Sequence, residues 1–206
     1  MLIIFLDTET TGLDPSIHKV LEIAFKILDT RRDQLICSYS SLLRHHDDVW
    51  NKRDPVSFQV NKLEKEFVNR YGKDPKVVSQ EILNLFSLYN VNKTTAVFLC
   101  QNPSMDRSFF SHLISPKLQN DNNVPYHWLD LASMFWGLEG VINKNFCESA
   151  NNLLSKDNIA NYLGLEKEKF PHRAFQGVEH LMFCYMKLIN KIKSNYSSDK
   201  LLDSTS

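Results

Sequence analysis

Hydrophobic and polar positions alternate along this chain in blocks short enough to read as individual elements. Leu2 to Leu6 is an unbroken apolar run, the pattern of a strand buried on both faces. Thr8 to Pro15 carries Gly12 and the Asp14-Pro15 pair, a turn signature. Val20 to Leu28 is apolar-rich and roughly alternating, and predicts a second strand; Gln34 to Leu43 predicts a third beyond the polar turn Asp29 to Asp33. The short links between these three favour an antiparallel meander. Arg44 to Pro55 reads as a polar loop. Leu63 to Tyr71 and Pro75 to Tyr89 read as helices, the second with proline near its start. Thr94 to Cys100 is another buried strand, and Pro103 opens a helix towards Ile114. A short strand over Tyr126 to Leu129 leads to Asp130, a helix-capping residue type, and a helix over Leu131 to Trp136. Gly137 to Leu154 has weak signal and reads as a loop. Ser155 to Leu163 reads as a helix ended by Gly164, and a final helix runs from about Arg173 to Lys193. The order predicts an α/β fold with a mixed sheet and one core, a single domain over residues 1–193, and a flexible polar tail over 194–206.

Composition narrows the class. The chain has 206 residues, 43% of them hydrophobic, with 24 basic and 24 acidic side chains and hence no formal net charge. Proteins that coat duplex nucleic acid are strongly basic, so any nucleic-acid role here acts at a local site. Cys37, Cys100, Cys147 and Cys184 show no C-x-x-C spacing, which argues against structural zinc and a disulfide framework. No stretch reaches the length of a membrane span. The expectation is a soluble, cytoplasmic protein without membrane contact.

The first strand raises a chemical question, because it runs into two carboxylates, Asp7 and Glu9. Residues two apart on a strand share a face, so both can aim at one point. Close like charges repel unless a cation lies between them. Hard divalent cations take oxygen ligands, which suggests Mg²⁺ or Mn²⁺; two solvated acids at a strand end are the alternative. Asp106, near the start of the helix after Cys100, and His172, just before the last helix, add two more groups of the right kind.

Together these stretches resemble a known family. Asp7-Thr-Glu-Thr-Thr-Gly-Leu-Asp-Pro15 resembles the first motif of the DEDD exonucleases, in the branch with a histidine in the third motif, whose members include RNase T and the epsilon subunit of DNA polymerase III. Asn102 to Phe109 resembles the second motif and His172-Arg-Ala174 the start of the third; Trp128 to Ala132 and Asn158 to Gly164 resemble segments between them. The resemblance runs from Leu2 to about Leu188. It implies an RNase H-like fold, a mixed five-stranded sheet flanked by helices, and hydrolysis of single-stranded DNA or RNA from the 3′ end with two metal ions. Carried onto this chain, it implies that Asp7, Glu9 and Asp106 hold metal, that His172 takes a proton from the attacking water, and that Thr8, Thr10, Thr11, Leu13 and Asn102 meet the terminal nucleotide. It also implies a homodimer or a polymerase-associated subunit as possible assemblies.

One position departs from the pattern. Five residues after the histidine the family has an aspartate that ligates the water-activating metal; here it is Gly177. Glu179 is a candidate substitute if the helix is distorted at the glycine, and His180 is another for Mn²⁺. Without a substitute, one ion is held well and activity is weakened, and restoring aspartate at 177 raises the rate. A glycine introduced to disable the enzyme is a third reading. The alternative to an enzyme is a degenerate member of the fold that binds nucleic-acid ends or a protein partner. Three other features read plainly: Phe109-Phe110 as core, His45-His46-Asp47-Asp48 as a solvated loop, and Lys187, Lys191 and Lys193 as the wet face of the last helix.

Overall fold

The computed structural model describes residues 1–142 and 154–202. Five strands form one sheet: β1 (Leu2–Thr10), β2 (Val20–Asp29), β3 (Gln34–Leu42), β4 (Ala96–Cys100) and β5 (Trp128–Asp130), in spatial order β3-β2-β1-β4-β5. β1, β2 and β3 pair antiparallel, as the short links predict, while β1–β4 and β4–β5 are parallel. The mixed five-stranded sheet flanked by helices is the RNase H-like arrangement.

The helices are α1 (Asp47–Trp50), α2 (Pro55–Asn61), α3 (Lys65–Tyr71), α4 (Pro75–Leu88), α5 (Pro103–Leu113), α6 (Pro116–Asp121), α7 (Leu131–Ile142), α8 (Lys156–Tyr162) and α9 (Ala174–Leu202). They cover both faces of the sheet, which is why β1 can be apolar without alternation. Ile4 and Leu6 pack on one side with Val78, Ile82, Phe109 and Phe110 from α4 and α5. Ile3 and Phe5 pack on the other with Leu131, Phe135, Ile159, Val178 and Leu181 from α7, α8 and α9. Phe109 and Phe110 are fully buried, as core residues should be.

Five elements differ from the sequence reading. The polar stretch from Arg44 holds a short helix, α1, and His45 is drawn inward, its Nε2 lying 2.7 Å from the Val20 carbonyl. Two short helices, α2 and α6, were not expected; Asp54 and Ser115 cap them and Pro55 and Pro116 start them. α7 continues through Gly137 to Ile142, because its buried Glu139 accepts from Lys191 Nζ at 2.6 Å and from the Tyr162 hydroxyl at 2.5 Å. Lys191 is thereby an ion-pair partner rather than part of a wet face. The rest of the expected loop, from 143 to 153, lies outside the described residues. α9 runs on to Leu202, nine residues past its predicted end, over ground read as tail. Among the described residues no helix is long and apolar enough to cross a membrane.

Candidate active site

β1 extends to Thr10, so Asp7 and Glu9 stand within the strand, not beyond it. Cross-strand partners fix their face. Phe5 lies opposite Lys26, Asp7 opposite Ala24, and Glu9 opposite Glu22, just before a register shift between Glu9 and Thr10. Phe5 and Ala24 belong to the core under α9, so Asp7 and Glu9 point to that same side. α9 answers with His172 and Arg173 at its head. Arg173 grips Glu22 with Nε at 2.8 Å and a second nitrogen at 3.0 Å, and Ala174 N donates to the same carboxylate at 3.2 Å. This fork settles the Glu22 charge and seats the first turn of α9 against β2.

Asp106 comes from the other side of the sheet. Asn102 adopts a left-handed conformation at φ 57°, Pro103 starts α5, and Asp106 falls in the first turn, buried. Thr8 Oγ1 donates to Asp106 Oδ1 at 2.8 Å and ties α5 to the end of β1. Asp106 and Asp7 repel across that end.

The electrostatics record how crowded the site is. Burial first, then the Asp7 and Glu168 charges, push the Glu9 carboxyl up to about 8, against a hydrogen bond from Asn61. Burial and Asp7 push Asp106 up to about 8. Asp7 is pushed up to about 6 by burial, with Lys156 opposing and Glu168 adding; His172 also lowers it. Lys156 sits among them, its Nζ 2.7 Å from Glu168 Oε2 and 3.7 Å from Asp7 Oδ1. Burial alone would lower its pKa, but Asp7 and Glu168 outweigh burial and raise it.

The structure thus brings Asp7, Glu9, Asp106 and His172 to one strand end. Several residues predicted to touch substrate or metal are also held by the protein's own groups. Thr11 is fully buried, and its hydroxyl accepts from Lys19 N at 3.0 Å. Thr10 Oγ1 donates to the Gly12 carbonyl at 2.7 Å, while the Asn102 side chain accepts from Ser104 Oγ at 2.6 Å. Glu179 is not beside Gly177 in function: its Oε1 pairs with Lys26 Nζ at 2.9 Å, because the helix is regular there and turns it away. His180 Nε2 lies 2.8 Å from the Glu166 carbonyl. Leu13 is 70% exposed at the mouth of a pocket of about 150 Å³ lined by Thr8, Glu9, Thr10, Val56, Val60, Asn61 and Met105. Restoring aspartate at 177 is also less simple than the motif suggests. A Cβ there would lie 2.1 Å from Asp7 Oδ2 and 3.0 Å from Glu168 Oε1, so Asp7 would have to move.

Sequence reasoning missed Lys156, Glu168, Glu22, Arg173 and Asn61. Glu22 and Lys26 left a trace, two charges inside an otherwise apolar strand. Lys156 left a fainter one, a cation in a first helical turn, where the helix dipole favours acids. Glu168 left none.

The sequence profile of the RNase T exonucleases matches residues 4–182. The chain belongs to the RNase T exonuclease family. No curated protein matches it in sequence. Among solved structures, it is similar to E. coli Exonuclease I in complex with a dT13 oligonucleotide, with TM-score 0.69, 14% identity, 98% of this chain and 43% of that chain covered. It is similar also to the nuclease domain of 3′hExo, a DEDDh family member, bound to rAMP, with TM-score 0.67, 13% identity and 92% of each chain covered. A 3′-exonuclease in a structure of 3′-end-specific recognition of a histone mRNA stem-loop gives TM-score 0.67 at 14% identity, over 92% of this chain and 82% of that one. At these identities the likeness is one of fold. The RNase T family chain described here spans less than half the length of Exonuclease I.

Proposed function

We propose that this protein is a metal-dependent 3′–5′ exonuclease that hydrolyses single-stranded ends of DNA or RNA. One observation carries the reading: Asp7 and Glu9 from β1, Asp106 from α5 and His172 at the head of α9 converge on one strand end from three separate parts of the chain. Membership in the RNase T family supports it. So do the names of similar structures, one holding a dT13 oligonucleotide and one rAMP.

The donor set suits a hard divalent cation. Asp7 and Glu168 face the ammonium of Lys156, Glu9 and Asp106 stand beside Asp7, and Arg173 is committed to Glu22. Burial first, and then the neighbouring carboxylates, raise Asp7, Glu9 and Asp106. Carboxylate oxygens are the ligands of Mg²⁺ and Mn²⁺. Among the described residues no three such side chains are already gathered at metal-binding spacing. Asp7, Glu9 and Asp106 would hold the ion, whose charge would offset that of the scissile phosphate and favour ionisation of the attacking water.

The chain's own groups do the rest. His172 would take the proton as the water oxygen bonds to phosphorus and the bond to the leaving 3′ oxygen breaks. Leu13, Val56, Val60 and Met105 offer an apolar seat for the terminal base, and Thr8 and Asn61 line the same pocket with polar groups. Such a grip is sequence-tolerant and needs a free end.

A second reading has its own support. Gly177 in place of a carboxylate, with Lys156 inside the cluster, suits a non-catalytic member of the fold that holds nucleic-acid ends. A 5′-labelled single-stranded oligonucleotide incubated with Mg²⁺ or Mn²⁺ separates the two. We expect a ladder growing from the 3′ end that Asp7→Ala abolishes; binding without laddering under either ion would favour the second reading.

A further inference from the structure

Gly177 leaves open the place where a side chain would rise from α9 towards Asp7, and something else reaches that place. Glu168 lies in the segment between α8 and α9. Its side chain is only 3% exposed. Its backbone N donates to Asp157 Oδ1 at 2.9 Å, and its Oε2 is held by Lys156 Nζ at 2.7 Å, so the first turn of α8 fixes both ends of the residue. Its other oxygen, Oε1, is buried and has no hydrogen-bond partner among the described residues. That oxygen is 3.0 Å from where a Cβ on residue 177 would stand, and Asp7 Oδ2 is 2.1 Å from the same point. A buried carboxylate oxygen with no donor is costly, and a cation is the natural partner for one aimed at a second carboxylate.

We propose that Glu168 supplies the carboxylate missing from position 177: Oε1 binds the divalent ion together with Asp7, while Lys156 holds Oε2 and orients the group. Gly177 and Glu168 are then a matched pair. The glycine is the opening through which a carboxylate from another segment enters the site, and a side chain at 177 excludes it. The inference rests on the exonuclease reading above for the identity of the site, but it concerns ion binding and is tested there.

The test is Mn²⁺ affinity, read as free Mn²⁺ by electron paramagnetic resonance on the full chain without nucleic acid. Glu168→Gln keeps the shape and loses the charge. We expect it to weaken Mn²⁺ binding by about tenfold or more, the scale of even an outer-shell loss. Gly177→Asp alone should bring no gain, because the new side chain meets Asp7 and Glu168. Unchanged affinity in a folded Glu168→Gln variant overturns the inference and leaves the exonuclease reading standing; a wild-type chain that binds no Mn²⁺ overturns both. Should Glu168→Gln fail to fold, crystals of the wild-type protein soaked in Mn²⁺ decide. Anomalous density in contact with both Asp7 and Glu168 supports the assignment, and density ligated without Glu168 sinks it.

Discussion

Lys156 shows how much one side chain can decide. Moving an ammonium out of water is expensive, and the carboxylates around it, Asp7 and Glu168 foremost, make the charged form stable there. Burial of the carboxylates, together with repulsion among them that one cation does not cancel, raises their proton affinity. Glu9 and Asp106 stay protonated up to about pH 8 in the folded chain and Asp7 to about pH 6, whereas free carboxyls titrate near 4. Folding therefore takes up protons, and the stability these groups allow is lost as pH rises through that window. We expect the ion-free protein to have a higher Tm near about pH 5 than near about pH 8, with added Mg²⁺ or Mn²⁺ raising the Tm chiefly at the higher pH. Thermal melts across pH, with and without the ion, check this; a Tm that rises from acid to neutral pH without metal would mean the carboxylates are not crowded as described. At this scale the sequence was half legible. Asp7 and Glu9 follow from the two-residue period of a strand. Glu168 did not, because Glu166-Lys167-Glu168-Lys169 alternates in charge as a solvated segment does, and only packing buries the third of the four.

Elements place these side chains, and local preference was overruled where tertiary contacts were strong enough. α7 contains two glycines, Gly137 and Gly140, each unfavourable in a helix by about 1 kcal/mol relative to alanine. Burial of Phe135 and the Glu139 bond to Lys191 of α9 hold the helix through them. Nothing lies within 4 Å of the position a Cβ would take on Gly137. Gly137→Ala should accordingly stabilise the protein by about 0.5–1 kcal/mol, measurable as a higher urea midpoint with unchanged slope. The two unexpected helices make the opposite point. Asp54-Pro55 and Ser115-Pro116 are readable start signals, but α2 and α6 are too short, at seven and six residues, to show a hydrophobic period. α2 matters for the site: its last residue, Asn61, donates to the Thr10 carbonyl at 3.1 Å and steadies the end of β1.

At the scale of the molecule, zero net charge sets how nucleic acid can be held. There is no global field to collect a long strand, and the pocket beside Glu9 and Leu13 is about 150 Å³, room for a terminus and little more. Binding should then depend weakly on salt. With two or three phosphate contacts to a single strand, the slope of log K against log salt is expected at about −1.5 to −2. Fluorescence anisotropy of a labelled oligonucleotide on the Asp7→Ala variant gives the slope. A value several times steeper would reveal an extended basic track that this chain's charge does not provide.

By itself the sequence determined the α/β class, the antiparallel meander, the burial of β1 on both faces and the motif order that marks the family, because each rests on local periodicity or on short spacings along the chain. Tertiary structure alone decided which charges meet. Arg173 reaches Glu22 across 151 positions, Glu179 turns to Lys26 instead of to the site, and Glu168 arrives beside Gly177 from a loop. Ion pairing acts through space and leaves no period in the sequence, so the partner of a buried charge is set by packing.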